Sequence, residues 1–415
     1  MTGPERGRPR SVPLSTSDPM KRCATLLAAL LGAAAAQAQE NREISFPDTE
    51  EGLHVLSVDT HVHTAFSDGG AWPDVRVLEA IRDGLDALAI TDHIDTQAHR
   101  EDIPHPDRNR SFDLARQAAE RIGTPMTVIK GAEIAHPTTE CIECSHVNAL
   151  FVTDNNVLRH RGWNDRLGWK TEAPLPDAFA SVRAARELGA FIIWNHPGEE
   201  SPVKMSEFNR QLFEAELVDG IEVVNGPRYW EGAFQFALDN DLAIVGASDI
   251  HDTMDNMLKG EALYQALGEP MEQRPATLVL AAEKSETAIA DAFEARRTAA
   301  LYRHTLIGRE REVRPIVEAA LSLEIVGPEV NGPKVRAPGD PVKVVIRNKA
   351  SSPFALRRKG TDQILTAGPI IEVPASGETS IWLLPGTDTS ALSLEFEVLN
   401  ALIAPRRTLH VTLEV

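Results

Sequence analysis

Ser57-Val-Asp-Thr-His-Val-His-Thr-Ala-Phe-Ser-Asp-Gly69 decides how the rest of this chain is read. Val55, Leu56 and Val58 make an apolar run of β type. At a strand's period of two, His61 and His63 leave the chain on one face, so a single ion can touch both rings. Asp68 follows in a Ser-Asp-Gly-Gly turn that folds back toward the same mouth. A His-x-His pair alone does not make a metal site; what decides is that later strands end the same way.

Strands and helices alternate after this opening. Pro73 to Asp83 shows helical spacing in Val75, Leu78 and Ile81, an apolar stripe on one face, and Gly84 ends the helix. Asp86 to His93 is the second strand, and a helix from Ser111, read as its N-cap, runs to Ile122. Thr127–Ile134 and Ser145–Val152 are the third and fourth strands, Phe191–His196 the fifth, Gly220–Asn225 the sixth and Ala243–His251 the seventh. Thr277–Ala281, a helix over 285–297 and Thr298–Ile307 complete the domain. Seven strands alternating with helices predict a parallel sheet closed into a distorted (β/α)7 TIM-like barrel. The insertion from Thr153 to Pro174, with Trp163 and Trp169, is a candidate lid.

The ionisable residues at the C-terminal ends of these strands are His61 and His63, His93, Glu133, His196, and Asp249 with His251. In a parallel barrel these ends form one rim. His146 stands near the start of the fourth run, so it joins them only if that strand enters from the rim. The set is too large for one ion. Imidazole and carboxylate suit zinc, manganese or iron, and the number of ligands fits two or three divalent transition-metal ions. His99 and His105, after the second strand, are candidates to touch substrate.

The motifs Asp59-Thr-His-Val-His63 with Ser67-Asp-Gly69, Thr91-Asp-His93, Gly131-Ala-Glu133, Ser145-His-Val-Asn-Ala149, Asn195-His-Pro197 and Ser248-Asp-Ile-His251 resemble, in order, those of the polymerase and histidinol phosphatase (PHP) superfamily. The resemblance covers roughly residues 54 to 305. It implies a distorted seven-stranded barrel with a trinuclear site: His61, His63, Glu133 and Asp249 on one ion, Glu133 bridging to a second with His146 and His196, and Asp68, His93 and His251 on the third. It further implies a metal-dependent phosphoesterase in which metal-bound hydroxide attacks a small phosphorylated substrate. Arg228, in Asn225-Gly-Pro-Arg228, is a candidate phosphate clamp. The rival expectations are an amidohydrolase-like hydrolase of another bond and a noncatalytic binding module stabilised by metal.

Charge and the chain ends set the remaining expectations. With 42 Lys plus Arg against 61 Asp plus Glu, the 415-residue chain carries a net charge of -19, which argues against nucleic acid or an anionic membrane as partner. Met20-Lys-Arg22, the Ala/Leu-rich run to Ala36 and Ala36-Gln-Ala38 have the three parts of a secretory signal peptide. The leader is therefore assigned to residues 1–38, with export, cleavage near Ala38 and no permanent membrane anchor. Cys141 and Cys144 then remain as candidates for a short-loop disulfide. The hydrolase barrel is assigned to 50–308, a linker to 309–325 and a small all-β sandwich to 326–415, where short strands alternate with Pro, Gly, Ser and Asp. Trp382, in an apolar strand, is expected to pack in the sandwich core.

Overall fold

A computed structural model describes residues 42–415 except 96, 100–101, 105, 137–144, 159–176, 199, 262–269, 327–340, 360–363, 365–367, 385–386 and 388–391. The leader, His105, the two late cysteines and the candidate lid from residue 159 on, with both its tryptophans, lie outside the described residues. No described helix is long and apolar enough to cross a membrane.

Strands β1 (His54–Asp59), β2 (Ala87–Ile90) and β3 (Thr127–Ala135) run parallel, with Val58 opposite Ala87 and Ala87 opposite Thr127. Their apolar runs are buried on both faces, as a helix-covered parallel sheet requires. β4 (His146–Leu150) breaks the order. It lies antiparallel to both β3 and β5 (Phe191–Trp194), so its first residue, His146, pairs with Ala135 at the rim. The local departure from parallel order that His146 demands is thus present. β6 (Gly220–Asn225), its short hairpin partner β7 (Arg228–Tyr229) and β8 (Ala243–Ala247) continue the wall, and β9 (Ala276–Ala281) returns antiparallel to β1.

Side chains close the circle. Gly246 of β8 donates its N–H to Thr277 Oγ1 at 3.1 Å and accepts the same hydroxyl's proton at 2.8 Å. A Cβ on Gly246 would stand 2.7 Å from the Ala276 carbonyl oxygen, so only glycine permits this approach. At the rim the chain after β8 meets the chain after β1: Val62 bridges Ile250, and Asp249 N–H donates to the His61 carbonyl.

Helices α1 (Pro73–Arg82), α2 (Arg110–Ile122), α3 (Ala178–Glu187), α4 (Glu207–Glu214), α5 (Glu231–Asp239), α6 (Met254–Leu258) and α7 (Glu286–Glu294) complete the barrel domain. One expectation here needs correction. Asn109, not Ser111, occupies the cap position of α2, and Ser111 is buried in its first turn. In α1 the helix forms as expected, but its apolar spacing does not mark the buried face: Val75 and Leu78 are exposed, Ile81 alone of the three packs against the core, and Arg76, Val77, Glu79 and Ala80 are buried.

Beyond β10 (Thr298–Tyr302) and β11 (Thr305–Gly308), the segment expected to be a linker is helix α8 (Glu310–Ala320) followed directly by strand β12 (Leu321–Val326). β12 is the edge of an antiparallel sheet with β13 (Val342–Asn348) and β16 (Glu378–Leu383). The facing sheet contains β14 (Phe354–Arg358), β15 (Ile370–Val373), β17 (Ser393–Ala404) and β18 (Arg407–Glu414). The C-terminal β sandwich is present, but Trp382 is 38% exposed and faces outward, between inward-facing Ile381 and Leu383. The two lobes are not separate. β17 runs parallel to β11, pairing Ala401 with Leu306 and Leu402 with Ile307. One hydrophobic core includes Val77, Leu278 and Leu301 of the barrel together with Leu356, Phe396 and Val411 of the sandwich.

Candidate metal centre

All nine residues expected to be ligands converge on one rim. Their ligand atoms fall into four overlapping groups, each with members within 4.8 Å of one another: His61, His63 and Asp249; His61, Glu133 and His196; His93, Glu133 and His146; and His63, Asp68, His93 and His251.

Glu133 stands at the centre, 1% exposed, and its two oxygens face different sets. Oε2 lies 3.4 Å from His61 Nε2, 3.3 Å from His63 Nε2 and 3.1 Å from His93 Nε2. Oε1 lies 3.0 Å from His146 Nδ1 and 3.3 Å from His196 Nε2. Asp249 Oδ1 closes the first set at 3.2 Å from His61 Nε2 and 3.1 Å from His63 Nε2. On the outer side, Asp68 Oδ1 is 3.4 Å from both His63 Nδ1 and His251 Nε2, and its Oδ2 is 3.6 Å from His93 Nε2.

The spacing itself tests whether the residues fit a metal. A tetrahedral ion with ligand bonds of about 2.0–2.2 Å sets its donor atoms about 3.3–3.6 Å apart. The five distances joining His61, His63, Glu133 and Asp249 run from 3.0 to 3.4 Å. His61 and His63 point their Nε2 atoms at each other 3.0 Å apart, an arrangement a shared cation explains better than a neutral hydrogen bond. The donor set of imidazoles and carboxylates, with a carboxylate whose two oxygens face separate groups, fits more than one divalent ion.

The charges are tightly coupled. Burial opposes ionisation of Glu133, but the imidazoles of His93, His61 and His146 outweigh it and hold its pKa well below the usual carboxylate range. Asp68 and Asp249 are likewise held down by neighbouring histidines against the effect of burial. For His63, burial disfavours the charged ring, yet hydrogen bonds to Asp249 and Glu133 and the charge of Asp68 raise it to about 9. His93 is raised to about 10, the charges of Glu133 and Asp68 again overcoming burial. His146 goes the other way: burial, with the charges of His196 and His93, lowers it despite Glu133. Two of the candidate ligands also hold backbone conformations that side chains rarely adopt, His196 with φ 26° and Asp249 with φ 51°.

Sequence reasoning missed the shell that orients these ligands. Glu222, buried in the middle of β6, accepts from His61 Nδ1 at 2.8 Å with one oxygen, and from the His196 N–H at 2.7 Å and Asn225 Nδ2 at 2.9 Å with the other. Asn195 donates to Glu133 Oε1 at 2.9 Å, and Asn225 Nδ2 also reaches Asp249 Oδ2 at 3.2 Å. Asp92 accepts from the Thr64 N–H, the Thr64 hydroxyl and the Ser67 hydroxyl, which fixes the turn carrying Asp68. Such partners set the tautomer and aim of metal-binding rings. The signal for Glu222 was available, since a carboxylate inside the run Ile221-Glu-Val-Val224 needs a buried partner.

Arg228 is half-buried directly across the β6–β7 hairpin from Asn225, and it forms no ion pair among the described residues. Directly opposed residues of an antiparallel pair share a face, which puts Arg228 on the Asn225 side. His99 is exposed in the loop after β2.

A model of the PHP domain matches residues 59–189, and a model of an Ig-like domain matches residues 329–414. A two-domain protein from Bacteroides vulgatus ATCC 8482, containing a predicted PHP-like metal-dependent phosphoesterase, is 33% identical with a TM-score of 0.72; the match covers 90% of this chain and 98% of that one. A proposed metal-dependent phosphoesterase from Bifidobacterium adolescentis ATCC 15703 is 20% identical over 47% of this chain and 88% of its own, with a TM-score of 0.35. An amidohydrolase from Chromobacterium violaceum is 17% identical over 48% of this chain and 88% of its own, with a TM-score of 0.34. Among curated protein sequences, none matches this chain.

Proposed function

The chain belongs to the PHP family, and from that premise we propose that it is a metal-dependent phosphoesterase acting on a small phosphorylated substrate. The observation that carries the proposal is the position of Glu133, whose two oxygens face separate imidazole sets. His61, His63, Glu133 and Asp249 would hold one ion, Glu133 with His146 and His196 a second, and Asp68, His93 and His251 a third. Bound there, two or three ions of zinc, manganese or iron would supply Lewis acidity toward phosphoryl oxygens and bring the pKa of a coordinated water to about 7.

The rest of the work falls to the chain itself. The side chains of Asp68, His251 and Asp249 are 29%, 17% and 15% exposed, whereas those of His61 and His63 are fully buried, so substrate approaches from the Asp68 side. Glu222 fixes the His61 ring by its Nδ1–H and the His196 backbone by its N–H. Asn195 and Asn225 hold Glu133 and Asp249 in place through their amides. Arg228, without a carboxylate partner among the described residues, orients a phosphate oxygen by charge-assisted hydrogen bonds. Processing of the leader near Ala38 would deliver the enzyme outside the cytoplasm, where its substrate would be met.

Elemental analysis of gently purified protein, combined with turnover of aryl phosphomonoesters, phosphodiesters, amides and carboxyl esters, tests this reading. Bound transition metal with phosphoester turnover is expected. Amide turnover without phosphoester turnover would move the chain to another hydrolase class, and metal without turnover of any kind would make it a binding module.

A further inference from the structure

We infer that Arg76, on the inward face of α1, is the positioning residue for the outermost ion group, His63, Asp68, His93 and His251. This rests on the multi-metal reading above.

A buried guanidinium needs a partner for each of its five N–H donors. Arg76 is 1% exposed, and every donor is used. Nε donates to the His63 carbonyl at 2.8 Å, Nη1 to Glu79 Oε2 at 2.9 Å and the Asp252 carbonyl at 2.6 Å, and Nη2 to the Ile250 and His251 carbonyls at 3.3 and 3.0 Å. Glu79, one turn further along α1, supplies the counter-charge and accepts the Met254 N–H at 2.7 Å. The Asp68 turn is tied in as well, because Gly70 N–H donates to the His251 carbonyl at 2.6 Å, the oxygen that Arg76 also holds.

One side chain therefore fixes the backbone of His63 and His251 directly and the Asp68 turn through Gly70. These are three of the four members of the outer group. Among the described residues its hydrogen bonds reach none of Glu133, His146 and His196, which are held instead by Asn195, Glu222 and the β3–β4 register. The outer group thus depends on α1 through three of its members, whereas the inner groups are tied to α1 only through His63 and otherwise depend on the barrel wall. This also explains why α1 buries charge where its apolar spacing pointed outward: the carbonyls of two crossing loops require donors that no aliphatic residue provides.

The test compares the full-length wild type with Arg76→Lys and Glu79→Gln. Each is stripped with chelator, reloaded with zinc or manganese, freed of loose metal by gel filtration and assayed for metal per chain, with cobalt absorption spectra as a second readout. Lysine keeps the charge but cannot span five acceptors; glutamine keeps the shape of Glu79 but weakens the guanidinium's counter-charge. The expected result is the loss of one ion per chain in Arg76→Lys, or at least ten-fold weaker binding of that ion, with the remaining ions retained, and a smaller weakening of the same ion in Glu79→Gln. A folded Arg76→Lys with the wild-type count and spectrum overturns the inference, as does equal loss of all ions. If Arg76→Lys does not fold, Glu79→Gln decides by the same criterion, and failure of both to fold makes the pair a general element of the fold and overturns it too. A wild type that binds no metal refutes the multi-metal reading instead.

Discussion

Replacement of Glu222 by alanine removes an acceptor that serves His61 Nδ1 at 2.8 Å, the His196 N–H at 2.7 Å and Asn225 Nδ2 at 2.9 Å, all buried or nearly so. Loss of a partner that orients a metal-binding ring typically costs about 10- to 100-fold in metal affinity, or about 1.4–2.7 kcal/mol. Because Glu222 orients one ligand by its ring and another by its backbone, the loss should reach the upper end. Glutamine is the informative comparison. With His61 Nε2 facing Asp249 and Glu133, its Nδ1 carries the proton toward Glu222, so both carboxylate oxygens face donors. An amide presents an oxygen to one side and its own N–H to the other, where it meets another donor. Glu222→Gln should therefore lose nearly as much affinity as Glu222→Ala, within about three-fold, although it is closer in shape. Chelator-competition titrations with zinc and manganese measure both constants, and circular dichroism controls for folding. Near wild-type affinity in Glu222→Gln, or no loss in Glu222→Ala, would refute the assigned hydrogen-bond roles.

Stability of the metal-free protein should fall as pH rises from about 7 to 10. His63 and His93 titrate near 9 and 10 in the folded chain but near 6.5 when unfolded, so the stability they contribute is complete below about 6.5 and lost through their folded values. Thermal melts of chelated protein check the sign, and a rising midpoint over that range would contradict it. The same linkage makes metal uptake release protons, so apparent affinity should increase with pH in calorimetric titrations. Gly246→Ala would push a methyl to 2.7 Å from the Ala276 carbonyl and 2.9 Å from Ala300 Cβ; it should destabilise by about 1–3 kcal/mol in urea unfolding, and an unchanged midpoint would count against the tight β8–β9 approach. Arg228→Ala should weaken inhibition by inorganic phosphate about ten-fold or more while leaving metal content intact, the loss expected for a charge-assisted hydrogen bond; an unaltered inhibition constant removes Arg228 from the phosphate site.

The rim was legible because its chemistry is written in local spacing. His61 and His63, and Asp249 and His251, stand two apart at strand ends, and the position of His146 at the start of its strand required the reversal that β4 shows. What could not be read depends on contacts distant in sequence. The apolar residues Val75 and Leu78 do not mark the buried face of α1, because the partners that bury Arg76 come from residues 250–252, far along the chain. For Glu222 the apolar run around it shows that a buried partner is needed, but not that the partner is His61, 161 positions away. Trp382 follows the alternation of its strand: Ile381 and Leu383 take the inward positions, so the tryptophan faces out whatever its hydrophobicity.

The parallel pairing of Leu306 and Ile307 with Ala401 and Leu402 means that neither lobe ends where its family resemblance ends. A strand edge of the barrel lobe finds its second hydrogen-bonding partner only after some ninety further residues have been synthesised. Until then β11 is paired on one side only, with β10, and its outer edge stays open, so the nascent chain cannot finish folding ahead of its tail. Heat or denaturant should accordingly melt 42–415 as a single cooperative event, and a stop codon anywhere in the last strands would silence a metal site that they never touch.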